Sequence, residues 1–373
     1  MTAMPRPPGA LLARPVLPAL IAAVLLAAVA GGLQRSGFAL GTGAVAGAAL
    51  LQHAALMLSS LLGTVIAVER AVALKRRWAF IAPWASAVGG VALLAGLPVA
   101  GAWAGAFAAA VFVAASVAVL ARQVVLHAGV LLLGAIAWLV GNLLFALGAA
   151  TALVLPWWFA FIVLTVAAER LEMARLMRHP PAVQFALVAI LSTLLAGAAL
   201  TGRWPVVAGA LFGGGLSALA LWLLAFDVAR RTLHGHGLAR YMAVSLLAGY
   251  AWLAVAGVAW IGEAFGCPGR DWALHALGLG FIFSMVMGHA PVILPAVART
   301  RLWFGPWFYA PLLLLHVSLL VRLPGSLVDP SWRQLGALLN AAAVGLFVVT
   351  LLASALAWRL KSARTLPSRT RPE

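Results

Sequence analysis

Imidazole is scarce in lipid-spanning segments, yet this chain places four of its eight histidines inside long apolar runs: His53 in QHAALM, His275 and His289 in HALGLGFIFSMVMGHAPVILPAV, and His316 in LLLLHVSLL. Hydrocarbon penalises an unpaired polar group, so an ionisable residue held there marks a functional site. Imidazole is also the usual protein ligand for heme and copper. A second group is acidic and basic. The segments TVIAVERAVALKRR at 64–77 and LTVAAERLEMARLMR at 164–178 each bring an apolar helix to its end with Glu-Arg, so that Glu69 and Arg70 match Glu169 and Arg170, with Glu172 and Arg175 adding charge to the second copy. Each glutamate can pair with an arginine of the neighbouring segment as a charge clamp, or serve as a carboxylate in a proton path that also includes Asp227.

The elements that position these groups follow from composition. The chain is 65% hydrophobic and 9% charged, with a mean hydropathy of +1.07, where a soluble domain carries about 25% charged residues. A spanning helix needs about 20 mostly apolar residues. Twelve such stretches run at roughly 15–34, 42–69, 79–99, 102–121, 125–147, 152–173, 183–201, 205–226, 241–262, 272–297, 307–322 and 334–358. Their continuity, rich in Ala, Leu and Gly, excludes barrel strands, which alternate over about ten residues. The expected fold is an all-α polytopic bundle of about 12 transmembrane helices, organised as one membrane domain over 1–360. The remainder, 361–373, reads as a short, basic, disordered cytoplasmic tail.

The net charge of +17 is topological. With the N-terminus inside, 20 Lys and Arg fall on the inner side and 5 on the outer, as the positive-inside rule requires. That predicts cytoplasmic termini in a bacterial-type inner membrane, anchored at anionic lipid, and leaves no support for nucleic acid binding. Arg6 and Arg14 before an apolar run resemble a secretory signal, but the run is longer than the 7–15 residues of a signal core, which predicts an uncleaved first helix. Cys267, the single cysteine, permits no internal disulfide. Tryptophans such as Trp78, Trp84, Trp157, Trp158, Trp272, Trp303, Trp307 and Trp332 near helix ends suggest an interfacial belt. Gly43 with Gly47 and Gly209 with Gly213 suggest close helix approaches.

Depth sharpens the histidines. His53 lies 16 residues before Glu69, roughly 24 Å along a helix, in the outer third of helix 2. His275 follows Arg270 and Asp271 at the outer start of helix 10, and His316 precedes Arg322 by about a turn and a half on helix 11. The three are expected at one outer level. His289 falls on the same helical face as His275 but roughly 21 Å deeper, where Pro291 and Pro295 free backbone carbonyls that it could satisfy. His127 begins helix 5 near the inner side, and His179, His234 and His236 fall in loops.

Two imidazoles from facing helices are the arrangement that sandwiches a low-spin heme, with Met57, Phe281 and Phe283 as an apolar slot. A mononuclear copper site needs two or three imidazoles. The alternative is that each histidine hydrogen-bonds another helix and holds the bundle together. The pairing of QHAALMLSSLLGTVIAVERAVAL with HALGLGFIFSMVMGHAPVILPAV inside twelve spans resembles the NnrS family of heme- and copper-containing membrane proteins associated with nitric oxide metabolism. More distantly it resembles the twelve-helix catalytic subunit of heme-copper oxidases, whose helices 2 and 10 carry the low-spin heme ligands. The resemblance implies His53 and one of His275 or His289 as heme ligands.

The chain departs from the NnrS pattern at Ala54, Ala55 and Leu56, where a second histidine and an acidic residue usually stand beside the first; this argues against copper near His53. Helices 6 and 7 hold no intramembrane histidine and there is no His-Tyr constellation, which argues against an oxidase-type binuclear site. Cys-x-x-Cys-His, Walker and zinc-protease motifs are lacking. Two functional classes remain: a heme-binding redox or sensing protein working with respiratory or nitric-oxide-related membrane partners, and a proton-coupled secondary transporter using His, Glu69, Glu169 and Asp227. Behind both stands a structural or assembly role in a respiratory complex.

Overall fold

Among the described residues, twelve helices are long and apolar enough to cross a membrane. They are α1 (Val16–Arg35), α2 (Ala44–Leu74), α3 (Arg77–Leu94), α4 (Pro98–Leu120), α5 (Leu126–Ala146), α6 (Thr151–Met173), α7 (Pro181–Leu200), α8 (Pro205–Phe226), α9 (Gly237–Ala264), α10 (Arg270–Ala298), α11 (Pro306–Val328) and α12 (Ser331–Ser362). The computed structural model describes residues 16–174, 180–298 and 300–364, and among these there is no strand. His179, residues 1–15 and residues 365–373 of the expected tail lie outside the described residues. The last helix runs on to Arg364, into the segment expected to be tail.

Chain neighbours pack antiparallel, with α8 against α9, α5 against α6, α3 against α4 and α11 against α12. α1 packs on α12 and α3, while α2 reaches α6 and α10. Three helices form the interior. In α6 78% of the spanning window is buried, and in α2 and α10 61%, against 50% or less in every other span. These are the second, sixth and tenth helices, and they carry His53, His275, His289 and both Glu-Arg pairs, while His316 is on α11 and Asp227 ends α8.

Two of the three central helices are not uniformly α-helical. α2 winds as a π-helix over Ala55–Leu62, starting two residues after His53. α10 does so over Ala276–Phe283, starting immediately after His275. A π segment shifts each main-chain bond by a residue and leaves carbonyls that need partners, and it recurs at functional sites. In α2 the Ser86 hydroxyl reaches the carbonyls of Ser59 and Ser60, both at 3.3 Å. The Ser59 hydroxyl donates to Asn142 at 2.6 Å and accepts from the Trp138 indole at 3.2 Å. The Ser59 and Ser60 carbonyls and the Ser59 hydroxyl thereby find partners on neighbouring helices, as a bilayer interior demands.

Several expectations shift. α2 continues past Glu69 and Arg70 to Leu74 and ends where Lys75 adopts the left-handed conformation at φ 56°, so the Glu-Arg pair lies within the helix and not at its end. Pro291 and Pro295 do not break α10. Pro291 cannot bond the Met287 carbonyl one turn back, and the Tyr241 hydroxyl takes that acceptor at 3.2 Å. Trp158 is in the core and not in a belt, packed edge-on to Phe145. Gly209 and Gly213 do meet α9 closely, whereas Gly43 and Gly47 face open space.

Candidate functional site

A cavity of about 490 Å³ opens at the face where α1 ends and where α2, α6 and α10 begin. His53 and Met57 of α2, Phe159 of α6, and His275 and Phe283 of α10 line it, closed on the remaining sides by α1, the end of α11 and the first turns of α12. Its volume is within the range of about 300–1,000 Å³ typical of cofactor and small-molecule sites.

Both imidazoles are oriented from behind. His53 Nδ1 lies 2.7 Å from the Ala28 carbonyl of α1. A carbonyl can only accept, so Nδ1 carries the proton and the lone pair is on Nε2, which makes no hydrogen bond among the described residues. The ring sits where Gly32 has no side chain: a Cβ there would lie 2.8 Å from His53 Cε1. His275 Nδ1 donates to Asp271, 3.0 Å from its carbonyl and 3.0 Å from its carboxylate, so in the neutral ring the lone pair is on Nε2, which makes no hydrogen bond among the described residues. Asp271 is held in turn by Arg322 of α11 through two bonds at 3.0 and 2.8 Å. Arg322, only 7% exposed, also reaches Asn340 at 3.4 Å, whose amide donates to the Ser318 hydroxyl at 2.5 Å. A carboxylate behind an imidazole fixes its tautomer and raises its basicity, the arrangement found behind metal-bound histidines.

The mouth is cationic. Arg35, Arg270, Arg322 and Arg333 line it against one carboxylate, Asp271. Arg270 is drawn aside to Glu263 at 2.7 Å, and Arg35 makes only a long contact of 3.4 Å to the Leu50 carbonyl. These charged residues were not singled out as site residues from sequence. The signal available was Asp271 four residues before His275, which puts both on one helix face.

The other candidates are elsewhere. His316 on α11 is outside the cavity lining. Its Nδ1 accepts from the Trp252 indole of α9 at 3.0 Å, which puts the proton on Nε2, a buried atom with no partner. The three-histidine level thus resolves into a pair on the cavity and a third residue that ties α11 to α9. His289 donates from Nδ1 to the Met285 carbonyl at 2.8 Å, and its Nε2 lies 3.3 Å from Arg170 Nη1. Neither nitrogen is free for a ligand.

His289 belongs to a second cluster at the opposite ends of α2, α6 and α10. Arg170, 3% exposed, pairs with Asp227, whose side chain is wholly buried, through contacts of 2.7 and 3.2 Å. Asp227 also accepts from the Ala229 amide at 2.7 Å where α8 ends. Arg170 therefore pairs with a residue 57 positions away and not with a glutamate of the echoed motif. Among the described residues no ion pair joins Glu69 or Glu169 to an arginine. Phe281, expected beside the histidines, packs on Tyr250.

Among the described residues no group of three or more His, Cys, Asp or Glu is placed to hold a metal ion; the cavity offers two imidazoles. No curated protein and no solved structure matches the chain. A family model does match, over residues 14–356. With nearly all of its length covered by that match, the chain belongs to the family described as a domain of unknown function, DUF8744.

Proposed function

We propose that this multi-pass membrane protein holds a heme between His53 and His275, and serves as a redox or sensing protein of NnrS-like type in a bacterial inner membrane with both termini cytoplasmic. The observation that carries this reading is the pair of Nε2 atoms, both unengaged, both on one cavity, and each backed by an acceptor on Nδ1. The walls suit a flat apolar body, with Met57, Phe159 and Phe283 presenting apolar surface and Gly32 and Gly278 presenting none. Arg35 and Arg333 at the mouth suit the anionic carboxylates at a heme edge.

A heme with two imidazole ligands would supply one-electron transfer. The chain's own part is to fix the imidazole planes through Ala28 and Asp271, to exclude water with the aromatic walls, and to place positive charge at the entrance. A copper ion on the same two histidines is the nearest relative of this reading, since imidazole suits both metals. The reading draws on the likeness to NnrS proteins and to oxidase subunits carried by histidines on the second and tenth helices, and nitric-oxide-related or respiratory partners belong to that likeness.

Proton-coupled transport is the second reading. It draws on the buried Arg170, Asp227 and His289 cluster, but α10 stays helical through both prolines, whereas transporter sites are typically built on interrupted helices.

The test is the oxidised and dithionite-reduced absorption spectrum of the purified protein from heme-replete cells, with pyridine hemochrome and metal analysis of the same sample. Near-stoichiometric heme with a sharp reduced band is expected. A folded, colourless and metal-free protein overturns the reading.

A further inference from the structure

Where α8 ends, the chain turns toward α9 through a short basic segment, VARRTLHGHG at 228–237. A groove of about 830 Å³ opens there, at the end of the bundle away from the histidine cavity. Its floor is apolar. Leu224 and Phe226 come from the last turn of α8, and Leu247 lies on α9, about 15 Å of helical rise from Gly237. Leu247 therefore carries the floor down toward the hydrocarbon, at the depth of an acyl chain. The rim is basic, with Arg230, Arg231 and His234 all exposed.

One carboxylate, Asp227, borders the groove among the described residues, and it is turned inward. Its oxygens are held by Arg170 at 2.7 and 3.2 Å and by the Ala229 amide at 2.7 Å, and its side chain has no exposed surface. Asp227 thus does not neutralise the rim. Among the described residues no ion pair holds Arg230 or Arg231. Arg230 folds back over the end of α8, where Nη1 donates to the Ala225 carbonyl at 3.3 Å. That contact sets its guanidinium at the edge of the apolar floor and leaves further N–H groups for a ligand.

We propose that this groove binds one anionic phospholipid, its phosphodiester on Arg230 and Arg231 and an acyl chain along Leu224 and Leu247. Guanidinium holds phosphate through charge-assisted hydrogen bonds, and basic pockets between spans take anionic headgroups. A zwitterionic headgroup does not fit, because its ammonium needs a carboxylate and Asp227 is already held by Arg170. A free phosphate ion does not fit either, since it would leave the apolar floor uncovered. The site goes beyond the heme reading and shares no residue with it.

Native mass spectrometry of the full-length protein in detergent, titrated with phosphatidylglycerol or phosphatidylcholine, tests this. Saturable binding of one phosphatidylglycerol is expected at concentrations where phosphatidylcholine does not bind. The double variant Arg230→Gln with Arg231→Gln should weaken it about 30-fold, from the loss of two basic residues beside an anionic headgroup. Lys75→Gln with Arg76→Gln removes the same charge from exposed positions where α2 ends, at the same end of the bundle, and should leave binding unchanged. Inorganic phosphate should not displace the lipid. Equal binding of the two lipids by the wild-type protein overturns the proposal whether or not the variants fold. Equal weakening in both double variants overturns it in favour of diffuse surface charge, and displacement by inorganic phosphate overturns it in favour of a soluble anion. The readout needs no cofactor, so it stands or falls independently of the histidine site.

Discussion

Gly32→Ala is a one-carbon change that tests whether the position of His53 matters. The new Cβ would lie 2.8 Å from His53 Cε1, 3.4 Å from Nδ1 and 3.5 Å from Nε2. Carbon atoms rest at about 3.5–4.0 Å, so the ring must retreat by about 0.7 Å or more. A ligand constellation tolerates about 0.5 Å of displacement. The ring is tethered to the Ala28 carbonyl at 2.7 Å, so it either loses that bond, worth about 0.5–1.5 kcal/mol, or strains the α1–α2 contact, at about 1–3 kcal/mol for overpacking. The protein should still insert and fold. Ligand affinity should fall about 10–100-fold, as when a group orienting a metal-bound histidine is lost. Equilibrium titration with heme, followed by absorbance and paired with thermal unfolding in detergent, measures both effects. Gly47→Ala, where a Cβ meets nothing within 4 Å, is the control and should bind as the wild type does. Equal affinity in Gly32→Ala and Gly47→Ala would refute the argument that His53 is positioned for a ligand.

Asp271→Asn removes the charge behind His275 while keeping its shape, and should weaken heme binding about 10–100-fold in the same titration. Asp227→Ala leaves the buried Arg170 guanidinium unpaired and should cost about 3–5 kcal/mol of stability; adding Arg170→Met should recover much of it, read by thermal unfolding of the single and double variants. His316→Phe removes the bond to Trp252, a contact between helices worth about 0.6 kcal/mol, and should leave heme loading unchanged by spectrophotometric titration.

The twelve spans were legible because a bilayer imposes length and hydropathy directly on each helix. Counting residues from charged landmarks was enough to bring His53 and His275 to one level. Their surroundings were not legible, for two physical reasons. A π segment is a shift of main-chain bonding inside a continuous apolar run, and ALMLSSLL and ALGLGFIF carry no composition that announces it. Phase arithmetic at 100° per residue from His275 to His289 therefore crosses eight residues to which that angle does not apply, and His289 is found bonded to Arg170 of α6. The second reason is pairing across the fold. Arg170 with Asp227 and Asp271 with Arg322 are separated by 57 and 51 positions, and they meet only because the fold brings the end of α8 to α6 and packs α11 on α10. Asp271 beside His275 was the one piece of the site readable locally.

The most direct measurement is the absorption spectrum and heme content of three variants, His53→Ala, His275→Ala and His289→Ala, each purified alongside the wild type. Loss or displacement of the heme spectrum in the first two, with His289→Ala unchanged, is the result predicted by two unengaged Nε2 atoms on one cavity. A spectrum that survives both His53→Ala and His275→Ala, or that depends on His289 instead, would contradict it.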